Sequence, residues 1–559
     1  HPTNADIVYM AAGNQVHKTT NGGQDWTPLL AGGNQFQADR LLIDPNNPEK
    51  IIASASNGLF ITTDAGQNWV QKWTSPVYDA EIKPNDGNMV LGLTKTSGKF
   101  AVIVSTDGGS SFQIQPSVPT NVVESSGGLL AMTPANPNLL LAIMLSSNNT
   151  PYFVKGIYSA GNWNWSLLAT GQTTAFPMDN GQGYFDLVLD ISPVNENSIL
   201  VGTTTLFKSV NAGTSFSAVG GYYGGFSIHP DIQDCKMLSN GDTWVATDGG
   251  MNLTTVIFVL QSNYFVRING LIGSDMWGFD QGWNEDLVVG GRYHNGNTAL
   301  ADFYQPKALR MGGAESPTGW VLHGKSRHVA FNDLGNGWVL PTSATTEPEG
   351  RFIFSKYPKM EEYGGRRGNM VFHPNYYGTI YLGEGSGFWK SMDMGVSWDL
   401  LHDFGSQVRY LQISYSNPSV LYADVVNKGL CKSEDGGFTW VQKPSLTSPP
   451  NGTAYWKGKL FIAVSPYDAN VVYACLMNGT WSADVGKVFK SVDGGDTWEN
   501  YTGTVSEYLK CMVVQPTSEQ KDLVYLFTNG TNGNDAQVFY RKEGMDDWLP
   551  YANGYPSGM

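Results

Sequence analysis

The chain has 559 residues, with 34 Lys and Arg against 49 Asp and Glu and a net charge of −15; that length exceeds one ordinary core, so two domains are expected. The balance excludes nucleic acid as a partner, because phosphate binding needs clustered Lys and Arg and the sequence has no such cluster. No apolar run approaches the roughly 18 residues a membrane helix requires, so no membrane span is expected in the chain.

In chain order, one pattern keeps returning. An apolar strand leads to a Pro-centred turn and a second apolar strand, as at Asp44-Pro45, Thr133-Pro134, Ser192-Pro193, His373-Pro374, Ser465-Pro466 and Gln515-Pro516. A variable loop and a third strand follow. The third strand ends in a turn of the form Ser/Thr-x-Asp/Asn-x-Gly-x-polar-aromatic, and a fourth strand completes the unit. These turns are Thr19 to Trp26, Thr62 to Trp69, Ser105 to Phe112, Ser209 to Phe216, Ser391 to Trp398, Ser433 to Trp440 and Ser491 to Trp498. Their third positions are Asn21, Asp64, Asp107, Asn211, Asp393, Asp435 and Asp493. A carboxylate or amide there accepts backbone N–H groups two residues on, the Gly supplies a positive φ, and the aromatic packs on a neighbouring unit.

Four antiparallel strands per period of about 37 to 59 residues is the signature of a propeller blade. The sequence is therefore read as all-β, with about twelve blades in tandem β-propellers, because one ring holds four to eight. The expected domains are 1–275 and 276–559, with an irregular middle over 246–370. The first repeat opens at His1-Pro2 without its first strand, and that strand is expected from flanking sequence.

The recurring turn resembles the Asp-box, or BNR repeat, of sialidases, sortilin-type receptors and the xyloglucanases of glycoside hydrolase family 74. The resemblance implies that the box residues staple the fold, away from any active site, and that two seven-bladed propellers stand in tandem. The order Ile228-His229-Pro230-Asp231, Thr247-Asp248-Gly249-Gly250 and Gly290-Gly291-Arg292-Tyr293-His294-Asn295-Gly296 is also similar to repeat-bearing surface proteins of the type IX secretion pathway. There His294 stands where an acidic residue is expected.

Successive turns of a four-stranded meander alternate between its two ends, so the Pro turns and the box turns share one end. Ligand contacts are expected from the other end, where the turns between second and third strands lie together with the blade-joining loops. The residues read into those loops are Arg292, His294, Glu347, Glu349, Glu384, Asp424, Trp481 and Asp484, with Trp73 in a blade-joining loop. Of these, Arg292, His294, Glu347, Trp481, Asp484 and Trp73 are the binding candidates, since exposed indoles stack on sugar rings.

Glycoside hydrolysis needs two carboxylates roughly 5 to 10 Å apart. Family 74 enzymes carry one catalytic Asp in a Thr-Asp-x-Gly-Gly phrase. Thr247-Asp248-Gly249-Gly250 lacks the intervening residue and reads as a degenerate box, which leaves Asp248 and Glu384 as the candidate catalytic carboxylates. The Arg-Ile-Pro phrase of sialidases is absent from the sequence. His323 and His328, five apart on strand-like sequence, do not have metal-ligand spacing, and neither a metal nor a cofactor is expected.

Cys235, Cys431, Cys475 and Cys511 form no Cys-x-x-Cys pair and read as buried thiols, with Cys475 and Cys511 able to pair. The expected function is that of a secreted or cell-surface protein whose loop end binds a polysaccharide or a protein partner without catalysis. The alternatives are a polysaccharide-degrading hydrolase similar to family 74 and a scaffold component of a larger secretion or adhesion assembly.

Overall fold

The computed structural model describes residues 1–29, 36–116, 118–119, 126–146, 150–178, 182–183, 185–267, 276–282, 285–292, 296–305, 307–312, 319–331, 336–344, 350–352, 370–443, 459–477, 488–505, 508–529 and 537–551. Among them the strands form twelve antiparallel sheets that follow one another along the chain, eleven of four strands and one of three. Each sheet is a meander in which strands pair in the order of the sequence. The three-stranded sheet is the first; it starts at Val8–Ala12, the second strand of the repeat. This is a β-propeller blade pattern, repeated.

The chain divides into two compact units, His1–Ile272 and Gly273–Met559. The first holds sheets one to six and the second sheets seven to twelve. In each unit the apolar residues of consecutive sheets interleave into separate cores. Between the third and fourth sheets, for example, Leu91, Leu93, Phe100 and Val102 meet Leu130, Leu140, Met144 and Val154. Between the eleventh and twelfth, Tyr473, Cys475 and Val488 meet Met512, Val524, Leu526 and Trp548. A sheet buried on both sides needs apolar residues on both faces, which is why strands such as Gly58–Thr62 and Leu421–Val425 are buried at every position.

The first strands of successive sheets also pack against each other, which makes them the inner strands of each unit. Aspartates on or next to these strands tie one sheet to the next. Asp79 accepts the N–H of Leu130 at 2.9 Å, Asp190 that of Met237 at 2.6 Å, Asp280 that of Val321 at 3.1 Å and Asp424 that of Leu460 at 3.1 Å. In the first unit the inner strands gather charge: Arg40 lies 3.6 Å from Asp79, and Lys236 lies 2.9 Å from Asp190. Burial pushes the Asp79 and Glu81 carboxyls above the usual range, and the Asp79 charge raises Glu81 further.

All four cysteines are free thiols, with Cys235, Cys431 and Cys475 buried and Cys511 half-buried. Cys475 and Cys511 lie in the same core of the second unit, and burial raises their thiols, Cys511 to about 11. Among the described residues no helix is long and apolar enough to cross a membrane.

Candidate functional site

The two ends of each sheet differ in chemistry. At one end stand the Pro turns and the recurring Asp or Asn turns, which are filled by their own hydrogen bonds. In the second sheet the Thr62 hydroxyl donates to Asp64 at 2.7 Å and accepts the Gly66 N–H at 3.1 Å. Asp64 in turn accepts the Asn68 N–H at 2.9 Å, and the Trp69 indole donates to the Gly66 carbonyl at 3.0 Å. The hydroxyl and N–H bonds recur at Asp107, Asp393, Asp435 and Asp493, and the indole bond at Trp398, Trp440 and Trp498, while Phe112 holds the aromatic place after Asp107. Asn21 and Asn211 accept equivalently, from Asp25 and Ser215 N–H groups at 3.0 Å each. Hydroxyl and amide donors hold Asp64 down to about 2 and, through Thr439, Asp435 to about 2. Groups so fully engaged have little left for a ligand.

The opposite end of the first unit carries a different cluster. Thr247-Asp248-Gly249-Gly250 joins Thr243–Thr247 to Gly250–Thr254, the second and third strands of the sixth sheet. The reading of this phrase as a degenerate box is therefore corrected, since the boxes join third strands to fourth strands. Its hydrogen bonds differ as well: the Thr247 hydroxyl donates to the Gly250 carbonyl at 3.1 Å, not to the aspartate. Asp248 is left facing the loop end, half-buried.

Gln233 reaches Asp248 from the first strand of the same sheet, its amide donating to Oδ1 at 2.9 Å. That reach depends on a bulge. The pairing of Ile232–Met237 shifts between Ile232 and Asp234, so Gln233 is the extra residue, and a bulge re-aims a side chain. Beside it Asp231 is 3% exposed and held at φ +63°, a conformation that costs a non-glycine residue about 1 to 2 kcal/mol. Its carboxyl accepts from Gln182 at 3.4 Å, and its carbonyl accepts the Asp248 N–H at 3.3 Å. Asp186 lies fully buried four residues past Gln182. His229 packs onto Gly249, where a Cβ would stand 2.5 Å from the His229 Cβ, so only glycine fits there.

In the second unit Glu384 ends the second strand of the ninth sheet, Ile380–Glu384, and pairs with Gly387 across a tight turn in which Gly385 has φ +58°. The first strand of the next sheet, Val408–Ile413, starts against this turn, with the Val408 N–H on the Gly385 carbonyl at 2.8 Å. That strand bulges at Arg409. Its guanidinium meets Asp424 with Nε 2.8 Å from Oδ2 and Nη2 donating to Oδ1 at 2.9 Å. The Nε contact is ionic and poorly aligned as a hydrogen bond.

The structure thus corrects two further expectations. Asp424 is in the strand Leu421–Val425, completely buried and paired, not in a loop. Trp73 ends the strand Val70–Trp73 and packs into the core between the second and third sheets, its indole donating to the Thr94 hydroxyl at 3.2 Å. Arg292 ends the second strand of the seventh sheet, Val288–Arg292. His294, Glu347, Glu349, Trp481 and Asp484 lie outside the described residues. His323 and His328 lie in the eighth sheet region, and among the described residues no group of His, Cys, Asp and Glu is arranged to hold a metal ion. Asp231, Asp186, Gln182 and Gln233 were missed by sequence reasoning; the one signal available was His229-Pro230-Asp231 standing two strands before Asp248.

No protein-family model matches the chain. Among curated proteins it is 23% identical to the xyloglucanase Xgh74A of Acetivibrio thermocellus, in a match covering 23% of this chain and 24% of that protein. It is 22% identical to a probable oligoxyloglucan-reducing end-specific xyloglucanase of Neosartorya fischeri, covering 39% of this chain and 27% of the other. The matches span about a quarter of the length of these curated relatives.

Solved structures agree over nearly the whole chain. A GH74 enzyme of Niastella koreensis superposes with a TM-score of 0.59 at 16% identity, covering 98% of this chain and 83% of that one. A GH74 xyloglucanase of Xanthomonas campestris gives 0.60 at 14% identity, covering 98% and 85%. The chain has the β-propeller fold of these family 74 structures.

Proposed function

We propose that this chain is an exported, polysaccharide-active β-propeller protein of the glycoside hydrolase kind, with Asp248 the catalytic carboxylate that its first unit presents. The observation that carries this reading is the place of Asp248: it stands on the turn between second and third strands, at the end free of staple turns, and is oriented by the bulged Gln233. A carboxylate held by an amide is positioned to act as base or nucleophile on a glycosidic bond. The names of the relatives support a polysaccharide of the β-glucan type as substrate. The two rings of the sequence reading belong to this proposal, with each compact unit forming one.

Binding without cleavage is the second reading, and one observation favours it. Of the three acids in the cluster, Asp186 and Asp231 are buried, which leaves Asp248 alone in an accessible position, whereas hydrolysis requires two carboxylates.

The test is to incubate the purified chain with a panel of plant and microbial polysaccharides, measuring new reducing ends and retained protein together. Cleavage is expected, with Asp248→Asn abolishing release while retention persists. Retention with no release by the parent protein overturns hydrolysis in favour of binding. Loss of both from the parent protein overturns the carbohydrate reading altogether.

A further inference from the structure

The blade-joining segments at the Asp248 end of the first unit carry aromatic side chains that the fold leaves in solvent. Phe185 is 58% exposed, Tyr222 is 63% exposed and Tyr223 is 65% exposed. All three lie in blade-joining segments at the Asp248 end of the first unit. Phe185 precedes the first strand of the fifth sheet, Val188–Ile191, and the tyrosines follow its last strand, Ser217–Gly221. Exposed aromatic rings at one end of a sheet give up burial that the core would reward, and exposed apolar surface of this kind marks binding surfaces.

The segment that carries Phe185 is tied to the carboxylates, and the loop that carries the tyrosines is held by its own hydrogen bonds. The Phe185 and Asp186 N–H groups both bond the Gln182 carbonyl, at 2.6 and 3.1 Å, while the Gln182 side chain bonds Asp231. Gly183 packs on Thr203, whose carbonyl accepts the Ile232 N–H at 2.9 Å. The chain of contacts therefore runs from the Phe185 turn through Asp231 to Asp248. The tyrosine loop is pinned at both sides: Phe226 N–H to the Val219 carbonyl at 3.0 Å, Gly221 N–H to the Ile228 carbonyl at 3.1 Å, the Gln261 amide to the Gly225 carbonyl at 2.5 Å and the Tyr264 hydroxyl to the Ser227 carbonyl at 2.7 Å. Gly224, at φ +114°, turns back so closely that a Cβ there would meet the Val219 carbonyl carbon at 2.3 Å. Such a loop offers its aromatic rings with their ordering entropy already spent.

We infer that Phe185, Tyr222 and Tyr223 are a stacking platform for uncharged pyranose units of a polysaccharide laid across the Asp248 end of the first unit. This rests on the carbohydrate reading above. An aromatic face takes the apolar C–H face of a sugar ring, and the tyrosine hydroxyls offer donors to its hydroxyls. The exclusion of charged sugars follows from electrostatics: three aspartates sit in the cluster and the chain carries −15 overall, so uronate or sulfate groups meet like charge.

The experiment is titration calorimetry of the full chain with a neutral β-glucan oligosaccharide, a neutral mannan oligosaccharide and an oligogalacturonate, using Phe185→Ala, Tyr222→Ala/Tyr223→Ala, Tyr222→Phe/Tyr223→Phe and the parent protein. Each alanine variant is expected to weaken neutral-glycan affinity by about tenfold, at an unchanged melting temperature because the rings are exposed, while the phenylalanine pair keeps most of it. Oligogalacturonate is expected not to bind. Parent-like affinity in both alanine variants overturns the platform and leaves the Asp248 reading standing. Equal affinity for oligogalacturonate overturns the neutral class. No binding of either neutral glycan by the parent protein overturns the carbohydrate reading and the platform with it.

Discussion

Asp424→Ala isolates one buried charge and shows how much of the second unit's stability depends on it. Asp424 is fully buried and its partner Arg409 is 3% exposed, so removal of the carboxylate takes from a core guanidinium the counter-charge that meets it at 2.8 Å. Breaking one side of such a pair costs about 3 to 5 kcal/mol, and the Leu460 N–H, bonded to Oδ2 at 3.1 Å, loses its acceptor at a further cost of about 1 kcal/mol. At roughly 2 to 4 °C per kcal/mol for a unit of this size, melting should fall by about 10 °C or more. Scanning calorimetry of the full chain at neutral pH reads this in the lower transition. Arg409→Met/Asp424→Leu, which removes both charges and keeps the volume, should recover most of the loss, since a hydrophobic replacement of a buried pair is near neutral. High salt should leave the parent value unchanged, because a pair this deep is little screened. A fall under about 3 °C for Asp424→Ala, or a double variant no better than the single one, refutes the argument.

Three other outcomes follow from the packing and the carboxyl groups. Gly437 has φ +96° and a Cβ there would come within 2.1 Å of the Phe388 ring, itself completely buried; Gly437→Ala should therefore cost roughly 2 to 4 kcal/mol by denaturant unfolding, and a neutral result refutes the close packing. Asp64 and Asp435 titrate near 2 when folded, below their unfolded value of about 3.9. Their contribution is complete above pH 4 and is lost as pH falls toward 2, so Asp64→Asn should flatten this part of the stability profile, its amide filling the place that Asn211 fills in its own turn. An unaltered acid profile argues against it. Glu81 is shifted the opposite way by burial and by Asp79. Its folded value is raised, so its contribution is present below the unfolded value of about 4.3 and is lost as pH rises through the folded one. Glu81→Gln should raise the melting temperature at pH 7 to 8 and not at pH 4; a loss at both shows that the charge is needed by Lys236 and Arg40.

The fold was legible because each period carries its own punctuation. Asp44-Pro45 and Thr62 to Trp69 mark the two turns at one end, and the apolar runs between them have a length that suits strands. What lay between second and third strands was less legible. Thr247-Asp248-Gly249-Gly250 repeats Thr106-Asp107-Gly108-Gly109 of a box residue for residue, and nothing local separates them; the distinction lies in which strands the turn joins and in where the Thr247 hydroxyl donates. Asp424 and Trp73 failed for a related reason. Both stand one or two residues from a loop in sequence, but burial is set by residues distant in sequence, Arg409 on the paired strand and Thr94 on the next sheet, and these cannot be read from the residues beside them.

The bulges explain why the loop end presents side chains aimed at acids. A first strand paired in perfect register with its second strand directs alternate side chains to the two sheet faces, where the adjacent sheets cover them. At Gln233 and Arg409 an extra residue breaks that alternation close to the loop end. Each side chain then turns toward an acid of its own sheet, Asp248 on a turn or Asp424 in a strand. The same backbone device gives two results that depend on the position of the acid. Within a strand it yields a sealed ion pair whose aspartate also accepts the Leu460 N–H of the next sheet. At the turn it yields a carboxylate fixed in orientation and still accessible, which is what a group acting on a bound glycan requires.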